Sequence, residues 1–116
     1  MRREASSVRT QVLLWGAQRA SAMVLALCVF VHLVTIIYAV RNGLSAAEIL
    51  GRTRGSFVWG GFYALFVAAV AVHAPIGVRN ILAEFGWRGR GVDMLMCVLA
   101  LTLAMWGFRA VWAVVS

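Results

Sequence analysis

The chain has 116 residues, which is enough for one domain. Hydrophobic residue types make up 63% of it and charged types only 13%, whereas soluble proteins average about 25% charged residues. A soluble domain of this size could not bury so much apolar surface, and a disordered chain would not carry it. The composition therefore predicts a membrane protein.

Three long apolar segments, residues 20–40, 55–78 and 94–116, follow one another along the chain, and the only charged residue inside them is Arg109, near the end of the third. About 20 apolar residues cross a hydrocarbon core as a helix, and backbone amides in lipid must be hydrogen-bonded within the segment. We therefore predict an all-α membrane protein that forms a single domain over residues 1–116. The predicted transmembrane helices cover approximately residues 14–40, 56–82 and 92–115.

Three smaller features refine this architecture. The first span is longer than the apolar core of a removable signal peptide, and no clear cleavage site follows it. In the first connection, Ser45 and Glu48 have the spacing of a capping box, which predicts a short surface helix. Cys28 and Cys97 lie in different apolar segments, where we expect no disulfide bond.

Eleven arginines, no lysine and four acidic residues give a formal charge of +7. In a soluble protein this balance would suggest a nucleic-acid partner. Here the arginines flank the apolar segments, so we expect membrane lipid and no nucleic acid. Seven arginines lie in the N-terminal flank and the second connection, against four on the other side. This excess predicts a cytoplasmic N-terminus in the inner (cytoplasmic) membrane.

The only two histidines, His32 and His73, both lie within predicted spans. Ionisable groups in a membrane are costly and mark functional sites by default, although a hydrogen bond to a neighbouring helix can also explain them. His32 shares a helical stripe with Ser21, Cys28 and Thr35. That narrow, weakly polar stripe suits either helix packing or a flat buried ligand.

Small residues surround His73 on its helix. Ala69 and Gly77 lie one turn to either side, so a planar macrocycle could approach the backbone. Pro75 is expected to kink the helix. Arg79 follows towards the cytoplasmic end, where it could pair with a propionate or simply anchor the helix at the interface. A histidine, a nearby glycine and an arginine are the parts of a haem b site.

The two histidines are expected to lie at different depths. Counted from the outer ends of their spans, His32 is about 12 Å deep and His73 about 24 Å deep. One haem cannot bridge histidines with this offset. Either the two residues ligate different haems, each completed by another chain, or a single haem binds at His73 and His32 is structural.

Two motifs resemble those of the cytochrome b membrane-anchor subunits of succinate:quinone oxidoreductase, the complex II family that includes fumarate reductases. Arg19-Ala-Ser21, at the start of the first span, is similar to the family's Arg-x-Ser/Thr pattern. His73-Ala-Pro-Ile-Gly77-Val-Arg79 resembles its His-x-x-x-Gly-x-Arg pattern, and an acidic residue and aromatics follow, as in the family. The resemblance extends over nearly the whole chain and implies three helices that form half of a haem-binding bundle.

By this resemblance, His73 is an axial ligand of haem b, and Arg19 and Arg79 lie near its propionates. Val31-His32-Leu33 is similar to the first helix of the two-haem branch, where that histidine ligates an outer haem, so the resemblance favours His32 as a second haem ligand. A quinone needs hydrogen-bond donors, and we expect its pocket at the cytoplasmic end of the first helix. The predicted quinone-binding residues are Trp15, Arg19, Ser21, Glu84 and Trp87. Trp15 and Phe85 depart from the family, which often has a serine and a tyrosine at these places.

The resemblance implies a membrane anchor that passes electrons from an iron–sulfur subunit, fed by a flavoprotein, to quinone. The chain has no catalytic group for dicarboxylate chemistry, so the assembled complex would be the enzyme. One or two haems would be shared with a second membrane-anchor subunit. The alternatives are the haem b subunit of another membrane oxidoreductase and a cofactor-free structural anchor or small transporter.

Overall fold

The computed structural model describes the backbone of residues 2–116 and the side chains from Val8 onward. Arg2 and Arg3, which enter the charge count, lie outside the described side chains. The described chain forms four helices and no strand: α1 (Arg2–Arg41), α2 (Ala46–Thr53), α3 (Phe57–Glu84) and α4 (Arg90–Val115). Helices α1, α3 and α4 are long and apolar enough to cross a membrane, which confirms the all-α, three-span prediction.

The short helix α2 begins with the predicted capping box. Ser45 Oγ accepts a hydrogen bond from the Glu48 backbone N–H at 3.2 Å, and the Glu48 carboxylate accepts one from the Ser45 N–H at 2.7 Å. The bond from the Ser45 backbone N–H to the carboxylate, with a smaller contribution from the Ser45 side chain, holds the pKa of Glu48 below its ordinary value of 4.5. The reciprocal bonds satisfy two backbone donors that the helix cannot satisfy itself. The prediction of a surface helix here is confirmed.

The first connection is tied to the C-terminal end of α4. The buried Thr53 hydroxyl donates to the Val114 carbonyl at 2.8 Å, and the Gly55 N–H donates to the Val115 carbonyl at 2.7 Å. The last carbonyls of a helix have no partner within the helix. The connection therefore supplies hydrogen-bond donors to the last carbonyls of α4 and fixes this end of the bundle.

Helix α3 is the central helix, because it packs against both α1 and α4. The approach to α4 is especially close at Gly107, where an added Cβ would overlap the side chain of Val67. Small residues allow such close contact between membrane helices. Pro75 lies inside α3, which continues as a helix on both sides of it.

Very little of the described chain is buried. Six residues are buried, and they lie where helices meet: Ser21, Cys28, Thr53, Ala69, Pro75 and Met96. Large apolar side chains such as Leu27, Phe30 and Leu101 are about two-thirds exposed or more. In a membrane this surface is available to lipid or to other helices, as expected for a subunit that forms part of a larger bundle.

Candidate functional site

His73 lies at the seam between α3 and α1, where it meets the polar side chain of Ser21. The Ser21 hydroxyl is 3.3 Å from His73 Nδ1. The same hydroxyl donates to the Gln18 backbone carbonyl, one turn earlier on α1, at 3.0 Å. Ser21 is only 7% exposed, whereas His73 is half-buried. One side of the imidazole therefore faces α1, and part of the ring remains accessible from outside the chain.

Gln18 fills the space beside Gly77. Its amide Nε2 lies 3.3 Å from the position that a Cβ on Gly77 would occupy. The amide Oε1 is buried and has no hydrogen-bond partner among the described residues. The missing side chain of Gly77 thus serves the packing of α1 against α3. Within this chain, the space beside Gly77 is not left open for a flat ligand.

His32 lies at the same seam, nearer the C-terminal end of α1. The Tyr63 hydroxyl on α3 is 3.3 Å from His32 Nδ1. The rings of Tyr63 and Phe66 both meet the imidazole edge-on, with centroids 5.7 Å away. A groove of about 700 Å³ opens beside these three residues, lined mainly by apolar side chains of α3 and α4. His32 is therefore held by an aromatic cluster.

The two histidine pairs are offset along the bundle. Tyr63 and His73 are ten residues apart on α3, and Ser21 and His32 are eleven apart on α1, which corresponds to about 15 Å along each helix. The pairings Ser21–His73 and His32–Tyr63 join these levels across the seam. This offset agrees with the depth difference expected from the sequence.

The predicted quinone-binding residues do not form one pocket within this chain. The Arg19 guanidinium lies over the Trp15 ring, 4.8 Å from its centroid, and both residues are exposed. Ser21 follows Arg19 by two residues, about 200° around the helix, and faces α3 instead. Glu84, at the C-terminal end of α3, and Trp87, in the second connection, are both exposed. A pocket made from Trp15 and Arg19 would need surfaces from another chain.

Arg79, the predicted propionate partner, is directed towards α4. Its Nε donates to Asp93 Oδ1 at 2.8 Å, at the start of α4. The two side chains are 34% and 54% exposed. They line a polar groove of about 260 Å³ together with Asn80, Trp87 and Arg88. The ion pair joins α3 and α4 across the second connection, and both side chains remain partly exposed.

The donor set of the described chain fits one axial position of a haem iron. No group of three or more histidine, cysteine, aspartate or glutamate side chains that could hold a metal ion is found among the described residues. A haem needs only one or two protein ligands, because the porphyrin supplies the other four. His73 can provide one such ligand from within the membrane, and a second would come from another chain.

Gln18 and Tyr63 are two residues of the site for which the sequence predicted no role. Gln18 lies one turn before Ser21 on the same face of α1. Tyr63 lies only approximately on the same face of α3 as His73. Because Gln18 is polar and lies one helical turn before Ser21, its sequence position could have indicated that it belongs to the site. For Tyr63, only the register of α3 against α1 reveals its contact with His32.

These features define a three-helix integral membrane protein with a histidine at the seam between its first span and its central helix. The sequence matches the family described as the succinate dehydrogenase/fumarate reductase transmembrane subunit over residues 2–114. The chain belongs to that family and is a membrane subunit of this type of complex. Comparison with curated proteins and with solved structures finds no match.

Proposed function

We propose that this chain is the haem b-binding membrane anchor of a succinate dehydrogenase, and that it helps to pass electrons from an iron–sulfur subunit to quinone. The observation that carries the proposal is His73, a half-buried histidine in the central span whose Nδ1 is held by Ser21. Membership of the transmembrane-subunit family supports the same role. The complex oxidises succinate at its flavoprotein, and this chain serves its quinone end.

His73 would hold the haem iron through Nε2, with the second axial ligand supplied by a second membrane-anchor subunit. When bound, haem b carries one electron at a time between the iron–sulfur subunit and the quinone region. The residues of this chain hold and orient it: Ser21 fixes the imidazole, and Arg19 and Arg79 can pair with propionates at the cytoplasmic end. Arg79 would do so while it remains bonded to Asp93 through Nε.

A single haem at His73 is the arrangement we propose, because the contact at His32 favours a structural role. Among the described residues, the hydrogen-bond contact found for the Tyr63 hydroxyl is with His32 Nδ1, at 3.3 Å. If the phenol donates to Nδ1, then Nε2 carries the proton and cannot ligate iron. An outer haem at His32 would require the phenol to accept instead and leave its own proton without a partner in this chain.

The quinone would bind at the cytoplasmic end of α1, on the exposed surface that Trp15 and Arg19 share. The Arg19 guanidinium can donate to a quinone carbonyl, and the Trp15 ring can cover the head group. Glu84 and Trp87 would approach from the second connection. The iron–sulfur subunit and the sister anchor would close the pocket from outside. The excess of arginines in the N-terminal flank and the second connection supports a cytoplasmic N-terminus in the inner (cytoplasmic) membrane.

Purification of the intact complex through a tag on this chain tests the proposal against its rivals. We expect a flavoprotein and an iron–sulfur subunit to co-purify, with succinate oxidation and a low-spin haem b signal in the reduced-minus-oxidised spectrum. A colourless preparation would instead support a cofactor-free anchor or transporter. A haem spectrum without succinate oxidation would support another membrane oxidoreductase.

Arg19→Leu tests the quinone position separately. We expect slower reduction of quinone and unchanged succinate oxidation with an artificial acceptor that takes electrons upstream of the membrane. Arg109→Leu is the matched control, because Arg109 also lies over a tryptophan, Trp106, at 5.3 Å, but at the other end of the bundle. Equal loss of both activities in Arg19→Leu would indicate failed assembly and remove the support for a quinone role.

A further inference from the structure

Ser21 is placed so that its single hydroxyl proton already has an acceptor. The hydroxyl donates to the Gln18 carbonyl at 3.0 Å, the shorter of its two polar contacts. The other contact, to His73 Nδ1 at 3.3 Å, can then be a hydrogen bond only if the imidazole donates. This arrangement puts the ring proton on Nδ1 and leaves the lone pair of His73 on Nε2.

Ligation of iron imposes the same proton position. A histidine that binds a metal through Nε2 keeps its proton on Nδ1, and this proton is almost always donated to an oxygen that fixes the ring. Among the described residues, Ser21 Oγ is the acceptor that Nδ1 meets. In a membrane interior water is scarce, so an N–H group without this acceptor would be costly.

We propose that Ser21 is the positioning residue of the haem site, and that it fixes the tautomer and orientation of His73 and does not bind quinone. The inference rests on the proposed haem at His73. It revises the role predicted for Ser21, whose buried hydroxyl faces α3 and donates within its own helix. The pair also makes the iron ligand more electron-donating, since a hydrogen-bonded Nδ1 raises ligand basicity.

Ser21→Ala in the intact complex tests this role. We expect about tenfold weaker haem retention during detergent washing, a midpoint potential of the haem shifted to more positive values, and an altered low-spin signal in electron paramagnetic resonance. The KM for quinone should stay unchanged, because Ser21 does not contact it. Ser21→Thr keeps a hydroxyl and should restore the potential.

Cys28→Ala is the matched control for the loss of a small buried side chain. Cys28 is 2% exposed on the same face of α1, two turns from Ser21. We expect it to leave the haem potential unchanged. If Ser21→Ala does not assemble, Ser21→Cys replaces it, because the thiol has a similar size but is a weak acceptor. The potential should then shift in the same direction.

The outcomes separate this inference from the function on which it rests. If Ser21→Ala keeps the wild-type potential and haem content while His73→Ala loses the haem, the role of Ser21 is wrong and the haem site stands. If Ser21→Ala raises the KM for quinone at an unchanged potential, Ser21 belongs to the quinone site. If His73→Ala retains the haem, the proposed function and this inference both fail.

Discussion

The two sides of α3 differ in what they contribute. Towards α1, α3 presents polar contacts: His73 meets Ser21, and Tyr63 meets His32. Towards α4, it presents close apolar packing, with Val67 against Gly107 and Gly60 in contact with Val115. The Arg79–Asp93 ion pair is a polar contact on the α4 side, but it lies near the C-terminal end of α3, away from the two histidines.

This difference separates the scaffold from the site. Close packing of small residues gives two membrane helices a fixed register through van der Waals contact alone. The α3–α4 pair can therefore act as a rigid support, and the seam with α1 can hold the histidines at defined positions. Changes at the Val67–Gly107 contact should affect assembly, whereas changes at the Ser21–His73 contact should affect the haem.

Gly107→Ala should have the largest effect on the scaffold, because the added Cβ overlaps the Val67 side chain. Overpacking typically costs about 1–3 kcal/mol. We expect a lower thermal stability of the purified complex, and Val67→Ala should restore it in the double variant. Gly60→Ala is the control, since its Cβ would make only an ordinary 3.5 Å contact with Val115. Equal stability of the two single variants would contradict the close approach at Gly107.

Tyr63→Phe tests the contact between Tyr63 and His32 and should lower the stability less than Gly107→Ala does. The ring contacts with His32 and Trp59 remain, and only the hydroxyl bonded to His32 is lost. Side-chain hydrogen bonds between membrane helices contribute about 0.6 kcal/mol on average. We expect slightly lower stability and an unchanged haem spectrum. A shifted haem potential or a lost haem in Tyr63→Phe would show that the Tyr63–His32 contact also takes part in haem binding.

Variants of Arg79 and of Asp93 distinguish the contribution of their ion pair from a role of Arg79 in haem binding. The pair is exposed, so its loss should change stability by about 0–1 kcal/mol. If Arg79 holds a propionate, Arg79→Gln should weaken haem retention, whereas Asp93→Asn should not. Haem content per flavin after detergent washing measures the difference. Equal retention in both variants would limit Arg79 to the ion pair.

The sequence alone predicted the three spans and the short helix capped by Ser45. It also indicated His73 as the main candidate for a haem ligand. These features depend on local composition and spacing, which a single chain displays directly. The contacts of His73 with Ser21 and of His32 with Tyr63 were not predicted. They depend on the rotation and register of one helix against another, which side-chain packing sets at residues such as Gly77.

The haem stoichiometry of the intact complex tests the central claim most directly. Haem per flavin should be measured in the unmodified complex and in the His73→Ala and His32→Ala variants. The account predicts one haem per flavin in the unmodified complex, none in His73→Ala, and one in His32→Ala. A haem retained in His73→Ala would contradict the assignment of His73, and a ratio of two that falls to one in His32→Ala would contradict the structural role of His32.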